Sequence, residues 1–321
     1  MHSNLYQPLV HRLAVATACV ALLPIVVGAA VTTTNAVMAF SDWPTSDGHN
    51  MLTYPWLQSA GAKFLEHGHR LAGMLIGVIS IALVVVVWIK EPRLWVRNAA
   101  VGILLCVIAQ GVLGGGRVRL DDRTLAMVHG SFAALVFAFM ACVAVCTSRM
   151  WIHAPGESLQ QNVRPLMPLV VVTTLVIFAQ YMLGGALRHL GMALYEHIAL
   201  AVLVLIAVVA TAVAALFSGA KWLRMPSCAL LVAVVLQIVL GGGAFVTKFG
   251  FAPTGYVAIQ NSAPQVWFRT AHTVVGMLLF ATSALLATRV CRLDYLRRRA
   301  AVVARDDRLP AGTATVRGAV G

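Results

Sequence analysis

FLEHGHRLAGML, residues 64–75, sets one carboxylate, two histidines and an arginine at the start of a run that is otherwise hydrocarbon, and its second half returns near the end of the chain as HTVVGML, residues 272–278. Two more apolar runs open the same way, HGSFAAL at 129–135 and HIALAVL at 197–203. A small residue, Gly73, Ala133, Ala201 or Gly276, follows each histidine by four positions, so on a helix it shares the histidine's face. The common frame selects His69 over His67, which stands two positions earlier and about 200° around a helix of 3.6 residues per turn.

The runs preceding these also repeat. QGVLGG (110–115), QYMLGG (180–185) and QIVLGG (237–242) share the pattern QxxLGG, and PIVVGA (24–29) matches it with Pro24 and Val27 in place of Gln and Leu. Odd-numbered runs therefore form one family and histidine-opened, even-numbered runs another, an odd–even helix pair used four times.

The chain has 321 residues, 60% hydrophobic and 11% charged, and its apolar runs approach the roughly 20 residues needed to cross a bilayer. They predict eight spans, at 13–33, 67–89, 98–116, 125–147, 167–187, 193–217, 227–246 and 269–290. The first is read as a helix, because it is apolar for longer than a signal-peptide core and matches the other odd runs. The expected fold is all-α, a polytopic membrane protein with eight transmembrane helices in two four-helix bundles related by a pseudo-twofold axis along the membrane normal. Residues 1–155 form the N-terminal half, 156–291 the C-terminal half, and 292–321 a basic tail expected to be disordered.

A net charge of +13 would suggest nucleic acid in a soluble protein, but the placement of the charges excludes that reading. With the N-terminus in the cytoplasm, the inner segments carry 16 of the 24 basic residues, among them Lys90, Arg93, Arg97 and the arginines from Arg289 to Arg317, against five of the 11 acids. The excess fits the positive-inside rule with both termini cytoplasmic, in a bacterial-type inner membrane. No cysteine falls in an outer loop, so no structural disulfide is expected, and Cys142 and Cys146 read as packing residues.

Ionisable groups inside a membrane are costly and face a bundle interior or cavity. A lone histidine is explained by a hydrogen bond to a neighbouring helix; four in register, each with a small neighbour, are not. Haem takes axial imidazoles from opposite sides and needs helices without bulky side chains along its faces. Pairing within each half gives His69 with His129 and His197 with His272, with sites toward the outer face. The small residues also have a plain packing reading. A closed zinc site lacks further ligands at matching positions, and a proton relay would not require the repeated small residue. Glu66 stands three residues before His69, where the other histidines have Ala126, Leu194 and Arg269. It either acts on a substrate or pairs with Arg70. Arg70, Arg117, Arg188 and Arg269 are candidate partners for haem propionates, with solvated loops as the plainer reading of each.

These residues resemble the haem A synthase family over nearly the whole chain, from Gly28 to His272. The resemblance rests on eight spans in two homologous halves, Glu66-x-x-His69-Arg70, the histidines opening spans four, six and eight, and Asp42-Trp43-Pro44 in the first outer loop. It implies O2-dependent hydroxylation of the C8 methyl group of haem O to the formyl group of haem A. It further implies His69 and His129 around the substrate haem, Glu66 as catalytic residue beside the reacting centre, and His197 and His272 on the iron of a resident haem b. Implied partners are haem O and its synthase, an electron donor whose identity the residues leave open, membrane lipid, and further copies of the chain in a homo-oligomer. Some members carry a cysteine pair in the first outer loop; MAFSDWPTSDGHN, residues 38–50, has none. The rival readings are a dihaem b-type electron carrier acting on quinol and a haem-free transporter of small solutes.

Overall fold

The computed structural model describes residues 6–153 and 156–306. Eight long helices carry nearly all of this: α1 (Pro8–Thr33), α2 (Gly61–Lys90), α3 (Leu94–Leu120), α4 (Arg123–Cys146), α5 (Leu166–Leu190), α6 (Leu194–Phe217), α7 (Lys221–Phe249) and α8 (Ala263–Asp306). All eight are long and apolar enough to cross a membrane. Hydrocarbon offers no partner to a bare amide or carbonyl, and a helix satisfies its backbone within the segment. Among the described residues there is no β-strand beyond two isolated bridges, Ser46–His49 and Phe251–Tyr256.

Packing is turned around relative to a soluble bundle. α6 directs Val202, Leu203 and Ile206 outward and buries Val204, Val208, Thr211, Ala212 and Ala215. α1 buries Val10, Ala14, Thr17 and Ala21, small residues one turn apart, the composition that lets helices approach closely where no hydrophobic force drives them together. Hydroxyls join neighbouring helices: Thr173 and Thr211 are 2.7 Å apart between α5 and α6, and Thr174 and Ser283 are 2.7 Å apart between α5 and α8.

Helices α1 to α4 close a ring by sequential contacts and an α1–α4 contact, and α5 to α8 do the same through α5–α8. The halves meet through α4 with α8, α4 with α5, and α1 with α8; α4 and α8, at the centre, are the most buried spans. At the end far from the histidines, Arg93 grips the fully buried Glu91 with two nitrogens, at 2.7 and 2.9 Å, and donates to Cys146 O at 3.1 Å. This ties the α2–α3 turn to the end of α4.

Two expectations are corrected. The even helices do not open at their histidines: α2 starts at Gly61, well before His69, and α8 at Ala263, well before His272. Hydropathy reads only the hydrocarbon thickness, whereas the backbone stays helical beyond it wherever no turn residue intervenes. For the same reason α8 runs through Asp306, past residue 292 where the disordered tail was expected; 307–321 lie outside the described residues.

Candidate functional site

The four repeats build four equivalent imidazole seats. The first glycine of each QxxLGG, with Gly28 as its counterpart, lies against the histidine of the following helix. A Cβ added at Gly28 would stand 2.7 Å from Cε1 of His69; the same distance is 3.1 Å for Gly114 and His129, 3.1 Å for Gly184 and His197, and 3.0 Å for Gly241 and His272. In all four, Nδ1 is nearer to the glycine than Nε2, so the ring turns Nε2 away from its seat. The first glycine of the pair thus accommodates the imidazole.

The residue opening each QxxLGG steadies the seat. Pro24 O accepts a hydrogen bond from His69 Nδ1 at 2.9 Å. Gln110 Nε2 donates to His129 O and Gln180 Nε2 to His197 O, both at 2.8 Å, while Gln237 Nε2 lies 3.4 Å from His272 Nε2. Nδ1 of His129, His197 and His272, unlike that of His69, is buried without a hydrogen-bond partner. At His69 the Pro24 carbonyl behind Nδ1 fixes the tautomer and leaves Nε2 as a ligand.

The seats pair as the sequence reading has them. The rings of His69 and His129 are 6.3 Å apart, centroid to centroid, with planes at 84°; those of His197 and His272 are 6.2 Å apart at 85°. A metal–imidazole bond of about 2 Å on each side, with each ring centre roughly 1 Å behind its nitrogen, places two axial rings about 6 Å apart. Both pairs thus have the separation that clasps a single metal ion. Among the described residues no group of three or more His, Cys, Asp or Glu converges on one point, so each pair by itself offers such an ion two protein ligands.

All four histidines line one cavity of ≈ 1060 Å³, shared between the halves. Gly73, Ala133, Ala201 and Gly276 line it too, as do Glu66, Arg70, Arg117, Arg188 and Arg269. Its volume is at the upper limit of ordinary small-molecule sites.

Glu66 is 3% exposed. Its Oε1 accepts from Arg70 Nη2 at 2.8 Å and its Oε2 from the amides of Ala39 at 2.7 Å and Phe40 at 3.4 Å. Arg70 Nη1 donates to Asp42 O, Thr45 O and Ser46 Oγ. The pairing with Arg70 therefore exists, and it fastens the first outer loop over the N-terminal site while leaving Glu66 on the cavity wall. Arg188 joins the halves, donating from α5 to Ala29 O and Thr33 Oγ1 on α1 and to Thr273 Oγ1 on α8. Among the described residues Arg117 and Arg269 direct no side-chain hydrogen bond to protein.

His67 faces away from the cavity, as the helical frame implies. It is 1% exposed, bonded to Ser46 Oγ at 3.1 Å, and packed on Tyr54 with ring centres 4.6 Å apart. Two wall residues were not among the expected site residues, Trp43 having been read only within the loop signature Asp42-Trp43-Pro44. Trp43 lies flush on Gly115, where a Cβ would fall 2.2 Å from Cδ2 of its indole; the third glycine position of GVLGGG was a signal for such a contact. His189 lines the junction opposite Gly130, and only its place directly after Arg188 marked it.

Parts of the sequence match known proteins. The model of the family described as cytochrome oxidase assembly protein (COX15-CtaA) matches residues 57–197, which include Glu66, His69, His129 and His197. A protein named heme A synthase from Symbiobacterium thermophilum is 31% identical over 194 residues, 55% of this chain and 58% of that relative's length. With eight membrane-length helices and two histidine pairs, the chain is similar over residues 57–197 to the cytochrome oxidase assembly protein family.

Proposed function

We propose that this protein is a haem A synthase, hydroxylating the C8 methyl group of haem O twice with O2, each time with two electrons from a donor, so that loss of water from the resulting geminal diol leaves the formyl group of haem A. The observation that carries the reading is the twin geometry of the histidine pairs, at 6.3 and 6.2 Å with near-perpendicular rings. Similarity to a heme A synthase supports it.

His69 and His129 hold the substrate haem in the N-terminal half, and His197 and His272 hold a haem b, which supplies one-electron transfer when bound. The assignment of halves follows from Glu66. A carboxylate offers about four acceptor positions, and three donors reach Glu66. The remaining position serves a proton or a polar group of the substrate at the cavity wall. Arg117 and Arg269, with donors free, take the propionates; Arg70 and Arg188 reach them with what their protein bonds leave over. The loop held by Arg70 excludes water from the N-terminal site. The basic ends of the helices opposite the histidines face the cytoplasm, which sets both haems toward the outer surface.

The dihaem carrier uses the same two pairs but has no need of Glu66. Haems extracted from purified wild-type and Glu66→Ala protein, identified by mass, separate the readings. The synthase yields haem B with haem A from the wild type and haem B with haem O from the variant. Haem A formed equally by both sinks the assignment of Glu66. Protein with haem B alone in both and undiminished quinol oxidation establishes the carrier, and protein without a Soret band the transporter.

A further inference from the structure

At the opposite end of the bundle, α1 and α4 of the first half meet α7 and α8 of the second around a separate pocket of ≈ 380 Å³. Two arginines stand on its wall. Arg149 lies 5.2 Å over the ring of Tyr6, and Arg289 lies 5.3 Å over the ring of Trp222 while donating to Trp222 O at 2.9 Å. Among the described residues neither pairs with a carboxylate. Trp222 is 2% exposed, yet its indole Nε1 has no acceptor, and neither does the buried Nε of Arg289. The wall thus presents two cations and two unused buried donors, and buried donors in native proteins normally find acceptors.

Tyr6, His11 and Ser148 complete the polar side of the wall, with His11 Nδ1 engaged at 3.1 Å by Ala144 O and at 3.2 Å by Thr147 Oγ1, and the remainder is apolar. Val15, Ala144 and Val145 line the same pocket, and Val15 is about 10 Å along the axis of α1 from its first residue, Pro8. Val15 and Met150 are 38% and 48% exposed, facing the surroundings of the bundle. A ligand filling this space presents an acceptor-only anion at the helix ends and hydrocarbon beside Val15. A free anion satisfies only the first requirement. We propose that the pocket holds an anionic phospholipid, its phosphate between Arg149, Arg289 and the Trp222 indole and an acyl chain along Val15 and Val145. Basic pockets between helix ends are where such headgroups bind. Because elements of both halves line it, the lipid would act as a clasp between them at the end away from the haem sites.

The test uses the full chain with its haems, delipidated in a neutral detergent, with lipid binding read by native mass spectrometry and thermal unfolding. Dioleoyl phosphatidylglycerol binds about tenfold more tightly than dioleoyl phosphatidylcholine and raises Tm. Arg149→Gln, at an exposed position that folding tolerates, weakens that preference, and the double variant with Arg289→Gln abolishes it, both with unchanged haem spectra. Equal binding of the two lipids, preference undiminished in both variants, or the same Tm rise from inorganic phosphate at matched concentration overturns the proposal.

Discussion

Gly28 on α1 and His69 on α2 are in contact so close that a methyl group on the glycine would overlap the imidazole, 2.7 Å from Cε1. The ring cannot simply retreat, because its Nδ1 is tied to Pro24 O one turn earlier on the same helix. Gly28→Ala therefore tilts His69 off the axis it shares with His129. The expected cost is about 1–3 kcal/mol of overpacking. Haem bound in the N-terminal half is lost while the haem b spectrum persists. Gly184→Ala, at 3.1 Å from His197, is milder. Haem-to-protein ratios measured on the two variants check the order.

His67 and His69 are separated by one residue and do unlike things. His69→Ala removes a seat and with it one haem per chain, read by pyridine haemochrome. His67→Ala empties a pocket among Phe40, Tyr54 and Trp56 and frees Ser46. Its expected effect is about 2–4 kcal/mol in the stability of the outer loop, with haem content unchanged. An equal haem loss in both would break the division of roles.

The repeats explain why these roles could be read before any coordinates. A helical frame of four residues placed His69, His129, His197 and His272 on matched faces and sent His67 elsewhere, because side-chain direction along a helix is set by backbone geometry alone. Pairing within halves followed from dividing the repeats into two four-helix bundles with two histidines each. What the frame could not express was the depth of contact. Whether Gly114 or Gly115 meets the imidazole depends on how α3 is rotated against α4, and that rotation is settled by packing across the bundle. The clasp of Arg70 on Asp42 and Thr45, and the seat of Trp43 on Gly115, join segments far apart in the chain through an irregular loop. Periodicity carries no information about such contacts. The helix ends were misread because hydropathy fades at the membrane surface while the backbone hydrogen bonds do not.

Arg70 is the bolt of that loop, and its side chain and that of Glu66 are 7% and 4% exposed. Removing one partner of a buried ion pair leaves the other uncompensated, at about 3–5 kcal/mol. Arg70→Ala is expected to release the loop at 36–50, raise its rate of proteolytic cleavage at least tenfold, and abolish product formation, with the haem b spectrum retained. Limited proteolysis followed by mass mapping locates the cut. Cleavage elsewhere first would remove the loop from the account.

Within the loop, Asp42 accepts from the amides of Asp47 at 3.0 Å and Gly48 at 2.8 Å. Burial works to raise its carboxyl, but the Gly48 amide, the Thr45 hydroxyl and the Asp47 amide together hold it at about 2, below the ordinary 3.8. A carboxyl lowered by folding contributes stability above its unfolded value and loses it as pH falls through the folded one. Protection of the Asp47 and Gly48 amides, corrected for intrinsic exchange, should stay level from pH 8 to about pH 4 and fall away toward pH 2. Asp42→Ala should lack that protection throughout. A transition near pH 6 would mean that a histidine, and not Asp42, controls the turn.

Trp43 turns the anchored loop into a wall of the site. Its indole is pressed on Gly115 of α3, where a Cβ would meet Cδ2 at 2.2 Å, and Arg119 from the same helix donates to Trp43 O at 3.2 Å. Gly115→Ala must expel the indole, since no shift of a few tenths of an ångström relieves such an overlap. Gly114 on the neighbouring face, and with it His129, keeps its place. The variant should therefore bind haem through His69 and His129 yet expose it to water. The measurement is the rate at which added cyanide or imidazole alters the spectrum of the N-terminal haem. A rise of tenfold or more in Gly115→Ala, matched by Trp43→Ala and absent in Gly242→Ala at the equivalent place in the C-terminal half, is expected if the indole shields the site. Equal access in all three would leave Trp43 as a packing residue of the loop.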